Sequence, residues 1–261
     1  MNRIKYDEAS YKIDGNFKTI SVEELIKLSK INHKKYIEKY YGNLFCPECH
    51  EPQLSLIKNS FLRGYRDQRH SNNCSKSFKP VSKKNFENLL QDVTSLQQVN
   101  NRLKKIIERL LLNKNEKNNP FLAKINDDSC ELCDIVPSEV NNRNSICRIP
   151  CKSLNAPFYD DDYNTLKIFY GKVDMKLSKR ENKKTNMEFY VLNFYKPDIN
   201  YTLCSISMST AVYSHFIQLY NISLEIKYRN VYVAFATCLG SYNGFKRGRL
   251  AYSNHCVIIG L

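Results

Sequence analysis

The stretches LFCPECH (residues 44–50) and HSNNC (residues 70–74) decide how the N-terminal part of this chain folds. In the first stretch, a Cys-x-x-Cys turn places two thiolates about 3.5–4 Å apart, which is the edge of a tetrahedron around a metal ion. In the second stretch, a histidine and a cysteine four residues apart would share one face of a helical turn. The spacing therefore predicts a zinc ion held by Cys46, Cys49, His70 and Cys74.

Three thiolates and one neutral imidazole fill all four positions of a tetrahedral zinc ion, so the predicted zinc is structural and has no open position for a substrate water. Residues 51–69 contain enough apolar side chains for a short hairpin but not for an independent core. A segment this small needs a metal ion to fold. His50 could compete for the site, but its place beside Cys49 makes it a weaker geometric fit than His70.

The run LFCPECHEPQLSL…LRGYRDQRHSNNC resembles the N-terminal zinc module of competence CoiA-like bacterial proteins. In that family a Cys-Pro-x-Cys knuckle is followed, after a spacer, by a histidine-rich segment and a last cysteine. The resemblance covers residues 44–75 and implies the same four ligands in this chain. The family often has a nuclease domain after this module, whereas the sequence here predicts a coiled coil, so the resemblance carries no cleavage activity over to this chain.

A second group of cysteines leaves two interpretations open. Cys130, Cys133, Cys147 and Cys151 would supply four thiolates to a second zinc ion. The alternative is that they are buried as small apolar side chains, as cysteine often is. The remaining three, Cys204, Cys238 and Cys256, lie in strand-like patterns, and we expect them in the core.

The composition indicates a folded cytoplasmic protein with acidic partners. The 261 residues carry a formal net charge of +14, and 42% of them are hydrophobic. Such a charge favours nucleic acid or an anionic membrane, although a general excess of lysine would also produce it. The sequence has no apolar run long enough to span a bilayer and no signal-peptide pattern at its N-terminus. Ten cysteines in such a chain favour metal binding or buried thiols over disulfides.

The sequence predicts three parts: residues 1–80 with an N-terminal helix and the zinc module, residues 81–119 with a long helix and linker, and residues 120–261. Ser21 and Glu24 have the spacing of a capping box at the start of the first helix. The long helix repeats apolar residues at spacings of three and four, which is typical of a coiled coil: Phe86, Leu89, Val93, Leu96, Val99, Leu103, Ile106 and Leu110. We expect a homodimer through residues 83–112, with an amphipathic helix packed on the chain's own domain as the alternative.

The pattern of residues 146–261 predicts a small β-barrel. Five β-rich segments are separated by turns, and one short helix, residues 210–219, lies between the third and the fourth. This order is typical of an OB-fold, although it also fits other small barrels. The predicted fold class is therefore α+β, with a small zinc-binding module, a long coiled-coil helix and a C-terminal OB-like β-barrel.

Aromatic and basic side chains alternate in the predicted barrel and favour single-stranded DNA as the partner, because aromatic faces stack on bases and cations contact phosphates. The loop of residues 240–249 lies where OB-folds bind oligonucleotides. The candidate contacts are Tyr170, Lys172, Tyr190, Phe194, Tyr242, Phe245, Lys246, Arg247 and Arg249. The alternative for the aromatic residues is that they fill the barrel.

Two other functions fit parts of the sequence. Asp198, Glu225 and Lys227 formally match the PD-(D/E)xK pattern, in which two carboxylates hold Mg²⁺ and a lysine orients the attacking water of a nuclease. The same aspartate also reads as part of a plain turn between two strands. A protein-interaction adaptor would need only the zinc module and the coiled coil.

Overall fold

The structure is a computed structural model that describes residues 4–72, 74–77, 79–80, 93–112, 147–199 and 201–261. The described residues form two compact units. The first unit holds the described residues up to Lys79, and the second holds Pro80, residues 93–112 and the described residues from 147 onward. Within these ranges, no helix is long and apolar enough to cross a membrane.

The first unit combines short strands with two short helices. Its elements are β1 (Glu8–Ile13), β2 (Asn16–Ser21), α1 (Val22–Ile31), α2 (His33–Tyr40), β3 (Leu44–Phe45), β4 (Leu54–Ile57) and β5 (Phe61–Gly64). Strands β2, β1 and β3 form one antiparallel sheet, and β4 and β5 form a hairpin. The predicted capping box is confirmed, because Glu24 N donates to Ser21 Oγ and Ser21 N donates to the Glu24 carboxylate. Asn32 caps α2 and so divides the predicted single helix into two.

The second unit is built on an eight-stranded mixed sheet. The chain enters this unit within the two-residue strand β6 (Lys79–Pro80). The elements that follow in chain order are α3 (Val93–Leu112), β7 (Cys147–Arg148), β8 (Cys151–Ser153), β9 (Leu166–Asn182), β10 (Met187–Tyr195), β11 (Thr202–Ser209), α4 (Thr210–Tyr220), β12 (Lys227–Cys238), β13 (Gly240–Tyr242), β14 (Phe245–Arg249) and β15 (Cys256–Ile259). The strand order is β13-β14-β11-β10-β9-β12-β15, with β8 added beside β9. Short 3₁₀ turns at Ser75–Ser77, Asp160–Asp162 and Ser253–His255 complete the described elements.

The predicted OB-like barrel is wrong, although the helix α4 lies where the sequence placed it. In the described part of the chain, the end strands β13 and β15 do not pair with each other, so the sheet is open. The physical reason is that both faces of the sheet are buried. Val233 and Phe235 lie in the core that contains Phe216 of α4, whereas Ala234 and Ala236 on the same strand lie in a second core with α3. A closed barrel has only one inner face to bury.

The predicted coiled coil is also wrong. Val99, Leu103 and Ile106 of the expected seam are at most 7% exposed, because they pack on strands β9, β12 and β15 of the chain's own sheet. The small side chains Ala234 and Ala236 face this helix. The amphipathic alternative therefore describes α3, while the homodimer through residues 83–112 stays a prediction. The residues of the expected seam before 93 lie outside the described ranges.

Leu103 offers a direct test of how α3 is used. Leu103 is fully buried and the neighbouring Lys104 is exposed. We expect Leu103→Ala to lower the free energy of unfolding by about 2–5 kcal/mol, because it removes buried methyl groups and leaves a cavity. Lys104→Ala, the matched control, should change it by less than about 0.5 kcal/mol. Urea unfolding measures both values. If Leu103→Ala changed the association state in sedimentation and left stability unaltered, the helix would be a dimer interface after all.

Candidate metal centre

The four predicted ligands come together in the first unit. The ligand atoms of Cys46, Cys49, His70 and Cys74 all lie within 4.8 Å of one another. Cys46 Sγ is 3.9 Å from Cys74 Sγ, and His70 Nδ1 is 3.4 Å from Cys49 Sγ and 3.3 Å from Cys74 Sγ. Zinc–sulfur bonds of about 2.3 Å in a tetrahedron require sulfur–sulfur distances of about 3.8 Å. The cluster therefore has the dimensions of a tetrahedral metal site.

Backbone hydrogen bonds hold the two halves of the cluster in place. Cys46 follows β3, and its N–H donates to Pro52 O at 2.9 Å, while its carbonyl accepts from His50 N at 3.0 Å. His50 has a φ of +58°, which closes the turn after Cys49. On the other side, Cys74 N donates to Ser71 O at 3.0 Å. His70 and Cys74 are therefore brought together by a turn, and not by the helical turn that their spacing suggested.

The three thiols of the cluster have pKa values shifted in opposite directions. The hydrogen bond with Cys74 is the main reason that the pKa of Cys46 falls to about 4. The same hydrogen bond raises the pKa of Cys74, and burial raises the pKa of Cys49. One thiolate is thus favoured, while the second and third are opposed. A divalent metal ion reverses this preference, because a coordinating thiol is deprotonated outright.

Tyr6 holds the His70 ring from behind. The Tyr6 hydroxyl lies 2.7 Å from His70 Nε2, on the side of the ring opposite the thiols. Tyr6 is 5% exposed, and its own backbone N–H donates to Leu62 O in β5. A metal ion bound at Nδ1 would leave the ring proton on Nε2, which would then donate to the tyrosine oxygen. Metal-bound histidines nearly always have such a partner, which fixes the ring and the tautomer.

His50, the competing histidine of the sequence, is not part of the cluster. Its ring stacks on Phe17 at a centroid distance of 3.9 Å and an interplanar angle of 10°. Burial lowers the pKa of His50, so the ring is neutral in this stack. His70, and not His50, thus lies beside the three thiols.

The basic side chains near His70 and Cys74 have different surroundings. Lys76 is largely buried and forms an ion pair with Glu48 at 3.9 Å, and its ammonium lies 5.6 Å from the centre of the Tyr6 ring. Arg66 and Arg69 are exposed and Arg63 is half-buried in β5. Lys76 thus belongs to the metal centre, whereas the exposed arginines form its outer rim.

The second cysteine group cannot be placed as a set. Cys130 and Cys133 lie outside the described residues, as does the side chain of Cys147. Cys151 is half-buried against the core beneath α3, with its sulfur 3.8 Å from Arg102 Nη2. Cys204 and Cys256 are 1% exposed, as expected of core residues, and Cys238 packs partly buried against the α3 core. The second zinc site remains a prediction.

Three of the candidate nucleic-acid contacts are core residues. Tyr170 is buried beneath α3, Phe194 is fully buried, and Tyr190 is 7% exposed. The Phe194 ring stacks on Phe235, and the Tyr190 ring stacks on Tyr213 of α4. These rings present no free face to a base. They are core residues, which was the alternative interpretation of the sequence. Lys172 is partly buried, with its ammonium 5.8 Å from the centre of a buried ring on β12.

The other candidates lie on an exposed hairpin formed by β13 and β14, which we call the aromatic hairpin. Tyr242 is 62% exposed and Phe245 is 57% exposed. The Arg247 guanidinium lies 5.4 Å from the centre of the Tyr242 ring, and Arg249 is exposed at the end of β14. Lys246 instead lies over the ring of Phe158 at 4.6 Å. The hairpin thus brings together two aromatic side chains and two arginines at the surface.

The residues of the nuclease pattern do not form a metal site together. Asp198 is exposed in the turn between β10 and β11, with a φ of +64°. Glu225 forms an ion pair with Lys176 at 2.7 Å, whereas Lys227 pairs with Asp174 at 3.5 Å. In the part of the chain that the structure describes, the Cys/His cluster is the one group of three or more His, Cys, Asp or Glu side chains arranged to hold a metal.

The chain matches no protein-family model, no curated protein and no solved structure. The resemblance of residues 44–75 to the CoiA-like zinc module therefore stays a prediction.

Tyr6 provides a test of the metal centre that leaves all four ligands in place. Tyr6→Phe removes only the hydroxyl that accepts from His70 Nε2. We expect metal affinity to fall by about 10–100-fold, because the imidazole loses its fixed orientation. Competition with a chromophoric chelator measures this. Tyr65→Phe, at a 46% exposed tyrosine of the same unit, is the matched control and should leave affinity unchanged. Equal affinities for the two variants would show that the contact does not support the metal.

Proposed function

We propose that the cluster binds one structural Zn²⁺ ion per chain, and that this ion stabilises the N-terminal unit. The observation that carries the proposal is the convergence of three thiols and one imidazole nitrogen at tetrahedral distances. Sites with three or four sulfur ligands favour zinc or iron–sulfur clusters over Mg²⁺ or Ca²⁺, which prefer oxygen. Cys46 and Cys74 are at most 2% exposed, which limits the access of water to the ion.

The elements around the cluster are too short to be stable alone, which supports a structural role for the metal. Strand β3 has two residues, and β4 and β5 have four residues each. Apparent zinc-binding free energies of small modules, about 10–16 kcal/mol near neutral pH, appear as folding free energy. Zinc bound here would join the knuckle after β3 to the turn that ends at Cys74. All four positions are filled by the chain, so zinc would perform no chemistry on a substrate.

The two histidines of the first unit give a matched pair of variants. We expect the purified wild-type protein to contain one zinc ion per chain by elemental analysis, and His70→Ala to lose most of it because a ligand is gone. His50→Ala should retain the full complement, since this ring contacts Phe17 and not the cluster.

A second measurement tests whether the metal ion stabilises the fold of the first unit. Removing the ion with a strong chelator should unfold the first unit, seen as a loss of helix signal in circular dichroism, and added zinc should restore it. Loss of zinc from His50→Ala and retention in His70→Ala would contradict the assignment of the ligands. A zinc-free protein with an unchanged spectrum would contradict the structural role.

We propose as a second function that the β-rich unit binds single-stranded nucleic acid, most simply DNA. The aromatic hairpin supports this proposal, because Tyr242 and Phe245 are exposed and lie beside Arg247 and Arg249. Aromatic faces stack on unpaired bases, and arginines contact phosphates. The net charge of +14 is consistent with an anionic partner. The adaptor function is not favoured, because the helix on which it depended is buried on its own sheet.

Tyr242→Ala tests the hairpin. We expect affinity for a labelled 20-nucleotide single strand to fall roughly fivefold to 100-fold, because one stacking contact contributes about 1–3 kcal/mol. Fluorescence anisotropy at low salt measures the change. Tyr201→Ala is the control, since Tyr201 is 56% exposed but lies on the turn between β10 and β11. Equal losses in both variants, or no binding by the wild-type protein, would contradict the proposal.

A further inference from the structure

Among the residues that the structure describes, helix α3 covers one face of the large sheet only in part. Helix α3 packs on the residues of β9, β12 and β15 that point to this face. Farther along the sheet, the residues of β10 and β11 on the same face are only half-buried, whereas the alternate residues Leu192 and Ile206 are fully buried on the opposite face. We call the uncovered region of β9, β10, β11 and β14 the open face.

The strand register places side chains of the open face in cross-strand rows. One row runs Lys176, Asn193, Ser205 and Arg247, the next runs Ser178, Val191, Ser207 and Arg249, and the third runs Arg180, Phe189 and Ser209. Three inter-strand steps separate β9 from β14, a span of about 14 Å. Basic residues thus lie at the two sides of a floor made of small polar and apolar side chains.

This floor is concave. A cavity of about 440 Å³ lies over it, lined by Arg180, Phe189, Val191, Asn193, Ser205 and Arg247 among others. Ligand sites typically have volumes of about 300–1,000 Å³. Gly248 lines the cavity with its backbone. A Cβ there would lie 2.8 Å from a Leu239 side-chain atom on the other face, so packing on that face requires glycine at this position.

Charge distinguishes the arginines at the cavity from Lys176 of the same face. Lys176 pairs with Glu225 at 2.7 Å, whereas Lys179, which pairs with Glu188 at 2.5 Å, lies on the opposite face of β9. The ion pairs of the described residues on these strands do not include Arg180 or Arg247, both of which line the cavity and are exposed. Glu181 is the acidic residue of the lining. With Arg249 in the adjacent row, the balance of charge at the cavity is positive.

Polar contacts on the floor leave a hydrogen-bond donor facing the cavity. Ser205 Oγ donates to Asn193 Oδ1 at 2.8 Å, which leaves the Asn193 amide NH₂ group to donate to a ligand. Phe189, beside it in the lining, is half-buried and offers an aromatic surface. A ligand with phosphates at its edge and a planar, hydrogen-bonding group at its centre would match this combination.

We propose that the open face is a track for single-stranded nucleic acid, in which Arg180 and Arg247 contact phosphates and an unpaired base occupies the cavity against Phe189. The proposal rests on the proposed nucleic-acid-binding function and adds the sheet face to the aromatic hairpin. The two surfaces are continuous, because Arg247 both lines the cavity and lies over the Tyr242 ring. A duplex hides its base faces and would not fill the cavity in this way.

The test uses the full-length protein and a labelled 20-nucleotide single strand, with anisotropy titrations between about 50 and 200 mM salt. The variant Arg180→Gln removes one charge at the cavity and leaves the aromatic hairpin unchanged. The control Lys30→Gln removes one charge at an exposed position of the first unit. We expect the arginine variant to lose about threefold to tenfold in affinity and about 0.7 in the slope of log K against log salt, which is the contribution of one single-strand phosphate contact.

Each outcome decides one point. Weaker binding and a smaller slope in the arginine variant, with the control within twofold of the wild type, supports the track. If the wild type binds and Tyr242→Ala weakens binding while the arginine variant does not, the hairpin function stands and the track is overturned. If the wild type does not bind a single strand, both proposals fall. Equal affinity for a duplex of the same length would overturn the assignment to single strands.

Discussion

The convergence of three cysteine thiols and one imidazole on one small volume is the constraint on which the N-terminal unit depends. The four candidate ligand atoms lie within 4.8 Å of one another, where the hydrogen bond between Cys46 and Cys74 lowers the pKa of Cys46 and raises the pKa of Cys74, and burial raises the pKa of Cys49. A divalent ion bound there would favour ionisation of all three thiols. The Tyr6 hydroxyl and the ion pair between Lys76 and Glu48 surround the cluster and fix its outer contacts. The short strands nearby then need little stability of their own.

The large sheet of the second unit depends on a different constraint, the burial of both of its faces. Phe216 of α4 packs on one side, and Leu103 of α3 packs on the other. Helix α3 covers only part of its face, and among the described residues the side chains of β10 and β11 on that face are half-buried or exposed. The aromatic hairpin lies at the edge of the same sheet. The surfaces that we propose to bind nucleic acid are thus this part of the α3 face and the hairpin.

Local patterns predicted the metal ligands, the capping box of α1 and the position of α4, because each depends on residues close in sequence or on a strict spacing. The Tyr6 contact could not be predicted, since Tyr6 and His70 are 64 residues apart and only the pairing of distant strands brings them together. The seam of α3 has the same spacing whether it packs on another helix or on a sheet. The alternation of apolar and polar residues likewise placed Tyr170 and Tyr190 on strands. It could not show that other elements of the chain bury both rings.

The most direct test of the central claim is X-ray absorption at the zinc edge of the purified full-length protein. The account predicts a first shell of three sulfur atoms at about 2.3 Å and one nitrogen at about 2.0 Å, with the imidazole of His70 as the nitrogen ligand. A shell of oxygen and nitrogen atoms alone, a shell of four sulfurs, or protein that contains no zinc after expression with ample metal would contradict it.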